Sequence, residues 1–357
     1  VPNANHTITS AITGSPDVRI ADNHGGVYLG LTFAPTKGTM SLGTVTIPYE
    51  SGKGDKGGVT FGGSTTGNTI EEVTFEGGNR YADFRKEGPG TWTVTGNTRI
   101  GTIKLSDGTL ALEGSVECVY SGFQFTGGTL AGTGPVKNNL VVPASGKLAP
   151  GTPTGPLAIT GDLDLSALAV GPGTIELQLD TPARPSDRIE ATGPVDIGDG
   201  ALGFSDFVFT NLGGVEAGAY VLISATEGIT GTLDPADRIG TIGGLNGALQ
   251  INGNKIEWAT DADRDGMPDP FELAHTTPPS ATALKPGEDL EHNGDGDGLD
   301  NLKDYLHGTD PNNPDSDGDQ LEDGPEVAGA DSRPPTDPTM ADTDGCLLYT
   351  SDAADDL

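Results

Sequence analysis

Two cysteines, Cys118 and Cys346, stand in a chain of 357 residues, which excludes a disulfide framework. Aromatic residues make up only 5%. The recurring apolar residues are instead Val, Ile and Leu flanked by Thr, a mixture that favours strands over helices. No apolar run approaches the ~20 residues of a membrane helix. No signal peptide opens the chain, but residue 1 is Val, so the N-terminus reads as the cut end of a longer or processed precursor and that absence carries no information. The five histidines, His6, His24, His275, His292 and His307, form no metal-ligand spacing, and no nucleophile–base motif is present.

Basic residues are scarce as well, 19 Lys and Arg against 52 Asp and Glu, for a net charge of -33. The imbalance is local. Residues 261–345 hold 23 acids and four basic residues, whereas residues 1–260 hold 26 and 15. Such a segment repels phosphate backbones and anionic membranes and attracts cations. Nucleic acid partners and membrane insertion are therefore not expected.

What is abundant is glycine, 56 residues. Short runs such as "GTWTVTG" (90–96), "GTIKLSDGTLALEG" (101–114), "GTIELQLD" (173–180) and "KIEWAT" (255–260) alternate apolar and polar between glycines, as strands with one buried face do. Gly-Thr followed by an apolar residue recurs from 38, 43, 90, 101, 108, 128, 173, 231 and 240, several of them near ten or twenty residues apart. Those spacings fit the turns of a stacked coil. A sandwich or barrel of antiparallel hairpins is the alternative reading.

The run "RKEGPGTWTVTGNTRIGTIKLSDGTLAL", followed by "GGTLAGTG" and "GKLAPG", resembles the autotransporter-associated β-strand repeat of bacterial passenger proteins, over roughly residues 85–260. The resemblance implies a right-handed parallel β-helix (β-solenoid) outside the cell. Residues 1–84 share only its general style and are expected to be a β-rich solenoid region.

The acidic segment has its own pattern. A calcium ion takes six to eight oxygens, which a twelve-residue loop supplies from positions 1, 3, 5, 7, 9 and 12, with a sharp turn at position 6. "DADRDGMPDPFE" (261–272) offers Asp261, Asp263, Asp265, the Met267 carbonyl, Asp269 and Glu272, with Gly266 at the turn. "NGDGDGLDNLKD" (293–304) offers Asn293, Asp295, Asp297, the Leu299 carbonyl, Asn301 and Asp304, with Gly298 at the turn. "DSDGDQLEDGPE" (315–326) offers Asp315, Asp317, Asp319, the Leu321 carbonyl, Asp323 and Glu326. There Gln320 takes the turn position, which predicts strain. A fourth copy starts at "DTDG" (342–345) and is severed by "CLLYTSDAADDL", which resembles a translated sequencing-adapter tail, so residues 346–357 are set aside.

Three complete loops in one acidic segment predict Ca2+ sites rather than a solvated, disordered linker. Paired sensor hands are disfavoured. Pro268 at position eight has no N–H to pair with a second loop, and the first loop follows a strand-like run. In the second, Leu299, Leu302 and Leu306 predict a shared helix face that Gly308 can end. Residues 261–345 resemble the thrombospondin type 3-like calcium repeats of secreted bacterial proteins, and more distantly the loop–helix halves of dockerins. The first resemblance implies a calcium-stiffened connector.

The sequence thus predicts an all-β chain with a short-helix calcium segment at its acidic end. The expected role is secreted or cell-surface, structural or adhesive, with an extracellular glycan or a surface protein as the partner class and the acidic repeats leading to a further module. The rival is a β-helix that binds or cleaves polysaccharide. For that role the carboxylate pairs are Glu71 with Glu72, expected on opposite faces of a strand, and Asp162 with Asp164, expected on one face.

Overall fold

A computed structural model describes residues 6–19, 30–47, 58–75, 82–151, 154–168, 173–181, 184, 186–286, 295–329 and 334–341. Asn293, His24, His292, the severed loop at 342–345 and Cys346 lie outside them. The chain is mostly β and divides into two compact units. The first comprises Val1–Glu216, Tyr220–Arg238 and Leu249–Glu257. The second comprises Ala217–Ala219, Ile239–Ala248 and Trp258–Leu357. Among the described residues no helix is long and apolar enough to cross a membrane.

From His6 to Leu233 the strands of the first unit pair in parallel. Up to Val116–Phe125 in one row and Gly146–Pro150 in another, each strand pairs with the next but one. One row runs His6–Ile8, Gly30–Phe33, Gly58–Phe61, Asp83–Lys86, Thr98–Leu105 and Val116–Phe125. A second passes through Ser41–Ile47, Asn68–Phe75, Thr91–Val94, Thr109–Leu112 and Gly128–Gly132. Beyond Leu140 a third row appears, Leu140–Val141, Leu163–Asp164, Val195–Leu202 and Ile229–Leu233, and each strand there pairs with the third one on. The antiparallel hairpin alternative does not hold for the strands between His6 and Leu233.

Register explains the glycine–threonine pattern. Trp92, Leu110, Leu130, Leu148, Ile175 and Phe207 lie opposite one another on successive strands, and all are buried. Their neighbours Thr91, Thr109, Thr129 and Lys147 form the row beside them. Period-two alternation sends one row inward on each strand, so each strand sets its apolar side chain against that of the last. Glycine is needed where turns meet. Gly108 has φ +64, and a Cβ there would stand 2.3 Å from the Gly88 carbonyl oxygen. Gly90 has ordinary φ but no room, since its Cβ would fall 2.5 Å from the Thr65 carbonyl oxygen.

The few aromatics are concentrated. Phe33, Phe61, Phe84 and Trp92 form one interior cluster, with the Phe61 ring 4.9 Å from that of Phe84 and 4.8 Å from that of Trp92. Trp92 Nε1 donates to the Gly62 carbonyl (3.0 Å), so its polar atom is not stranded. Lys86, which no sequence signal singled out, stands in an inward row between Phe61 and Leu105 and is fully buried. Its Nζ donates to the carbonyls of Glu87 (3.1 Å), Gly88 (2.7 Å) and Asp107 (2.9 Å). Burial pushes its ammonium down to about 8, against the pull of Asp107 and Glu87.

The second unit departs from the parallel pattern. Residues 239–242 pair antiparallel with 245–248, and three short helices follow: α1 (Asp269–His275), α2 (Asn301–His307) and α3 (Asp323–Ala328). Its buried apolar residues include Met267, Leu284 and Leu299, and the rings of Phe271 and Tyr305 meet at 4.9 Å. The Asp300 side chain caps α2 by accepting from the Lys303 N–H (3.1 Å), and Gly308 ends it at φ +80 as expected. The expected Leu face is only partly buried. Leu299 is inside, whereas Leu306 is 46% exposed.

Replacing Lys86 with Met keeps the apolar stem and strands three buried carbonyls. Lys86→Met is expected to lower the unfolding free energy by about 2–3 kcal/mol, measured by urea denaturation. Lys147→Met, at an exposed position, should change it by less than about 0.5 kcal/mol.

Candidate metal centres

The three acidic loops share a backbone signature at positions four and six, and each runs into a helix at position nine. Position four has positive φ in all three, at Arg264 (+64), Gly296 (+85) and Gly318 (+81). So does position six, at Gly266 (+95), Gly298 (+99) and Gln320 (+83). Arg264 and Gln320 adopt a left-handed backbone that side chains rarely take. The strain expected at Gln320 is present; that at Arg264 was not foreseen.

Aspartates hold this shape through the backbone. Asp261 at position one accepts from the N–H groups of Arg264 (2.7 Å) and Gly266 (3.1 Å), and Asp315 accepts from Gly318 (2.8 Å) and Gln320 (3.0 Å). At position five Asp265, Asp297 and Asp319 each accept from position seven, the N–H of Met267 (2.9 Å), Leu299 (2.8 Å) and Leu321 (2.7 Å). Position nine acts as a staple. Asp269 accepts from the Ala262 N–H (2.7 Å), and Asp323 accepts from the Ser316 N–H (2.9 Å) and hydroxyl (2.6 Å). The sequence pattern gave these two a ligand role alone; the structure adds loop closure, which the acid recurring at position nine could have signalled.

What remains unbonded is informative. Among the described residues, Asp265 Oδ2, both Oε atoms of Glu272, Asn301 Oδ1, Asp317 Oδ2, Asp319 Oδ2 and Glu326 Oε2 are buried without a hydrogen-bond partner. They stand at positions three, five, nine and twelve of the loops. Glu272, Asp319 and Glu326 are 0, 4 and 2% exposed. Buried acceptors of this kind need a donor or a cation. In the first loop one oxygen from each of Asp261, Asp263 and Asp265 lies within 4.8 Å of the other two, and the same holds for Asp315, Asp317 and Asp319. Two ligands on opposite sides of a calcium ion at 2.3–2.6 Å stand about that far apart. The donor set is all oxygen and largely anionic, which fits a hard divalent cation.

In the second loop Asp295 accepts from the Asp297 N–H (3.3 Å), and the shorter acid at position twelve, Asp304, is braced by the Thr309 hydroxyl (2.9 Å). Asn301 Nδ2 donates to the Lys285 carbonyl (3.0 Å). The Lys285 ammonium lies 3.1 Å from Asp263 Oδ2, a cation beside the first loop that the spacing pattern did not reveal.

Crowding shows in the acidities. Burial, followed by the charges of Asp265, Asp263, Asp269 and Asp261, pushes Glu272 up to about 8. Burial first, then Asp317, Asp319 and Asp323, takes Glu326 to about 7 against the Thr336 hydroxyl. Asp304 rises to about 7, from burial and then Asp297, Asp295 and Asp323, and Asp265 to about 6, chiefly from burial.

The carboxylates of the polysaccharide alternative are placed differently. Asp162 accepts from Asn139 Nδ2 (2.8 Å), and Asp164 from the N–H (2.9 Å) and hydroxyl (2.6 Å) of Ser166. The first bond joins residues 23 apart, and the second pair closes a local turn. Glu71 is exposed and Glu72 half-buried; burial and the Glu71 charge raise the Glu72 carboxyl. Comparison with known proteins finds no family that matches the chain and no matching curated protein.

Two outcomes follow from the loop geometry. Glu272, Asp304, Glu326 and Asp265 hold protons more tightly folded than unfolded, where their pKa values are near 4. Without metal the folded unit binds more protons between about pH 4 and 8, so its stability falls as pH rises through that window. In chelator, hydrogen exchange corrected for intrinsic rates should show residues 258–341 better protected at pH 5 than at pH 8, an order that millimolar calcium should reverse. Gln320→Gly removes the left-handed strain at an exposed side chain and should stabilise the calcium-loaded protein by about 0.5–1 kcal/mol. Denaturant midpoints read this, and a loss of stability would contradict it.

Proposed function

We propose that this chain is a secreted or cell-surface structural protein. In this reading a right-handed parallel β-helix presents a long surface, and three calcium-binding loop–helix repeats form a stiffened connector. The observation that carries the calcium reading is the set of buried, unbonded oxygens at ligand positions in all three loops. The β-helix reading draws support from parallel strands paired first with the next but one and then with the third on, with side chains stacked in register. The partner class proposed for the long surface is an extracellular glycan or another surface protein.

The energetics suit an extracellular setting. Loops of this class in extracellular modules bind calcium with Kd of about 0.1–1 mM. Calcium at ten times Kd stabilises each site by about 1.4 kcal/mol. Several such sites together can order a unit whose apolar core is small, and the same sites would stand largely unloaded at cytosolic calcium.

Limited proteolysis of the full chain tests this reading. In 5 mM calcium, cleavage within residues 258–341 should be at least tenfold slower than in chelator, while cleavage within residues 82–151 should be unchanged. Equal rates for the acidic unit in both conditions would remove the calcium reading.

A further inference from the structure

The second and third loops are joined through a ligand-position side chain. Asp297, at position five of the second loop, accepts at Oδ1 from the Leu299 N–H of its own loop (2.8 Å). At Oδ2 it accepts from the N–H of Gly324 (2.9 Å), 27 residues further on. Gly324 sits in the first turn of α3, between Asp323, which staples the third loop through Ser316, and Glu326, which closes it at position twelve. The approach leaves no space, since a Cβ on Gly324 would stand 2.3 Å from the Asp297 carbonyl oxygen. Glycine costs a helix roughly 0.5–1 kcal/mol relative to alanine. At this position the neighbouring loop, rather than the helix, requires it.

We infer that the second and third loops bind divalent cations cooperatively, with Asp297 as the positioning residue that couples them. A cation held in the second loop fixes the Asp297 carboxylate. The Asp297–Gly324 bond then sets the first turn of α3, which carries Glu326 to the third site. Coupling through binding free energies is reciprocal, so loading the third loop tightens the second by the same factor. This inference rests on the calcium reading of the loops. The first loop meets the second by other means. Phe271 packs on Tyr305, a Cβ on Gly266 would meet a Leu302 methyl at 3.5 Å, and Asn301 reaches the Lys285 carbonyl.

The test is a calcium titration of the full chain followed by hydrogen exchange, read separately in peptides covering 261–272, 295–304 and 315–326. In the parent protein the second and third loops should gain protection at one shared midpoint with a Hill coefficient above one. Asp295→Asn combined with Asp304→Asn, which weakens the second loop, should raise the midpoint of the third by fivefold or more, within the usual range of coupling. Gly324→Ala, which pushes the two loops apart, should split their midpoints. Asp261→Asn combined with Asp265→Asn should move the third-loop midpoint by less than twofold.

An unchanged third-loop midpoint in the second-loop variant would overturn the coupling while leaving the calcium reading intact. An equal shift from the first-loop variant would also overturn it, because the segment would then order as one block. Failure of every loop in the parent protein to respond to calcium would instead overturn the calcium reading itself. Should the third loop of the second-loop variant never become protected while the first loop titrates normally, the unit has folded and the coupling stands in its strongest form.

Discussion

Carboxylate oxygens gathered within 4.8 Å of one another, as in the first and third loops, repel by about 3–4 kcal/mol per fully ionised pair at an effective dielectric near 20. The second unit is organised around that constraint. Backbone N–H groups at positions two, four, six and seven turn toward the acids and offset part of the repulsion, which is why the chain accepts a left-handed backbone at Arg264 and Gln320. Hydrogen bonding cannot finish the task. Glu272 has both oxygens buried and, among the described residues, without a hydrogen-bond donor. With a core built on residues such as Met267, Leu284 and Leu299, apolar burial offers little to set against this cost.

The first unit answers the same kind of problem from its own atoms. Asp187 is fully buried, yet one oxygen accepts from the Gly155 N–H (3.0 Å) and the other from the Gln178 N–H (2.9 Å). Buried Asn68 accepts from the Met40 N–H (3.0 Å) and donates to the carbonyls of Thr65 (2.8 Å) and Thr91 (2.9 Å). Lys86 gives three bonds to three carbonyls. Because each strand repeats the register of the last, a polar side chain that caps one turn finds the backbone of the next within reach.

This difference also sorts what the residues alone could reveal. Stacked parallel strands were one of two readings the residues left open; "GTWTVTG" and "DGTLAL" each put an apolar residue two positions after a glycine, and the structure sets Trp92 opposite Leu110. The loops were legible because position-specific oxygens leave an imprint on spacing. Lys86 was not, since a lysine among alternating residues reads as an outward one, and only the carbonyls of neighbouring turns make its burial tolerable. The antiparallel pairing of residues 239–242 was hidden because Gly240-Thr241-Ile242 copies the motif of the parallel strands. The Asp297–Gly324 bond joins residues 27 apart, and no local pattern encodes such a contact.

The two units therefore repeat themselves in physically different ways. Stacked strands satisfy one another, so their order depends on neighbours that are always present. In the proposed reading the loops complete their coordination with a cation from the solvent, and their order follows its concentration. On that reading a single chain holds one unit whose stability is set by its own sequence and one whose stability is set by the medium. By accepting from the Gly324 N–H, Asp297 of the second loop becomes part of the framework of the third, and the proposed coupling of the two loops rests on that bond.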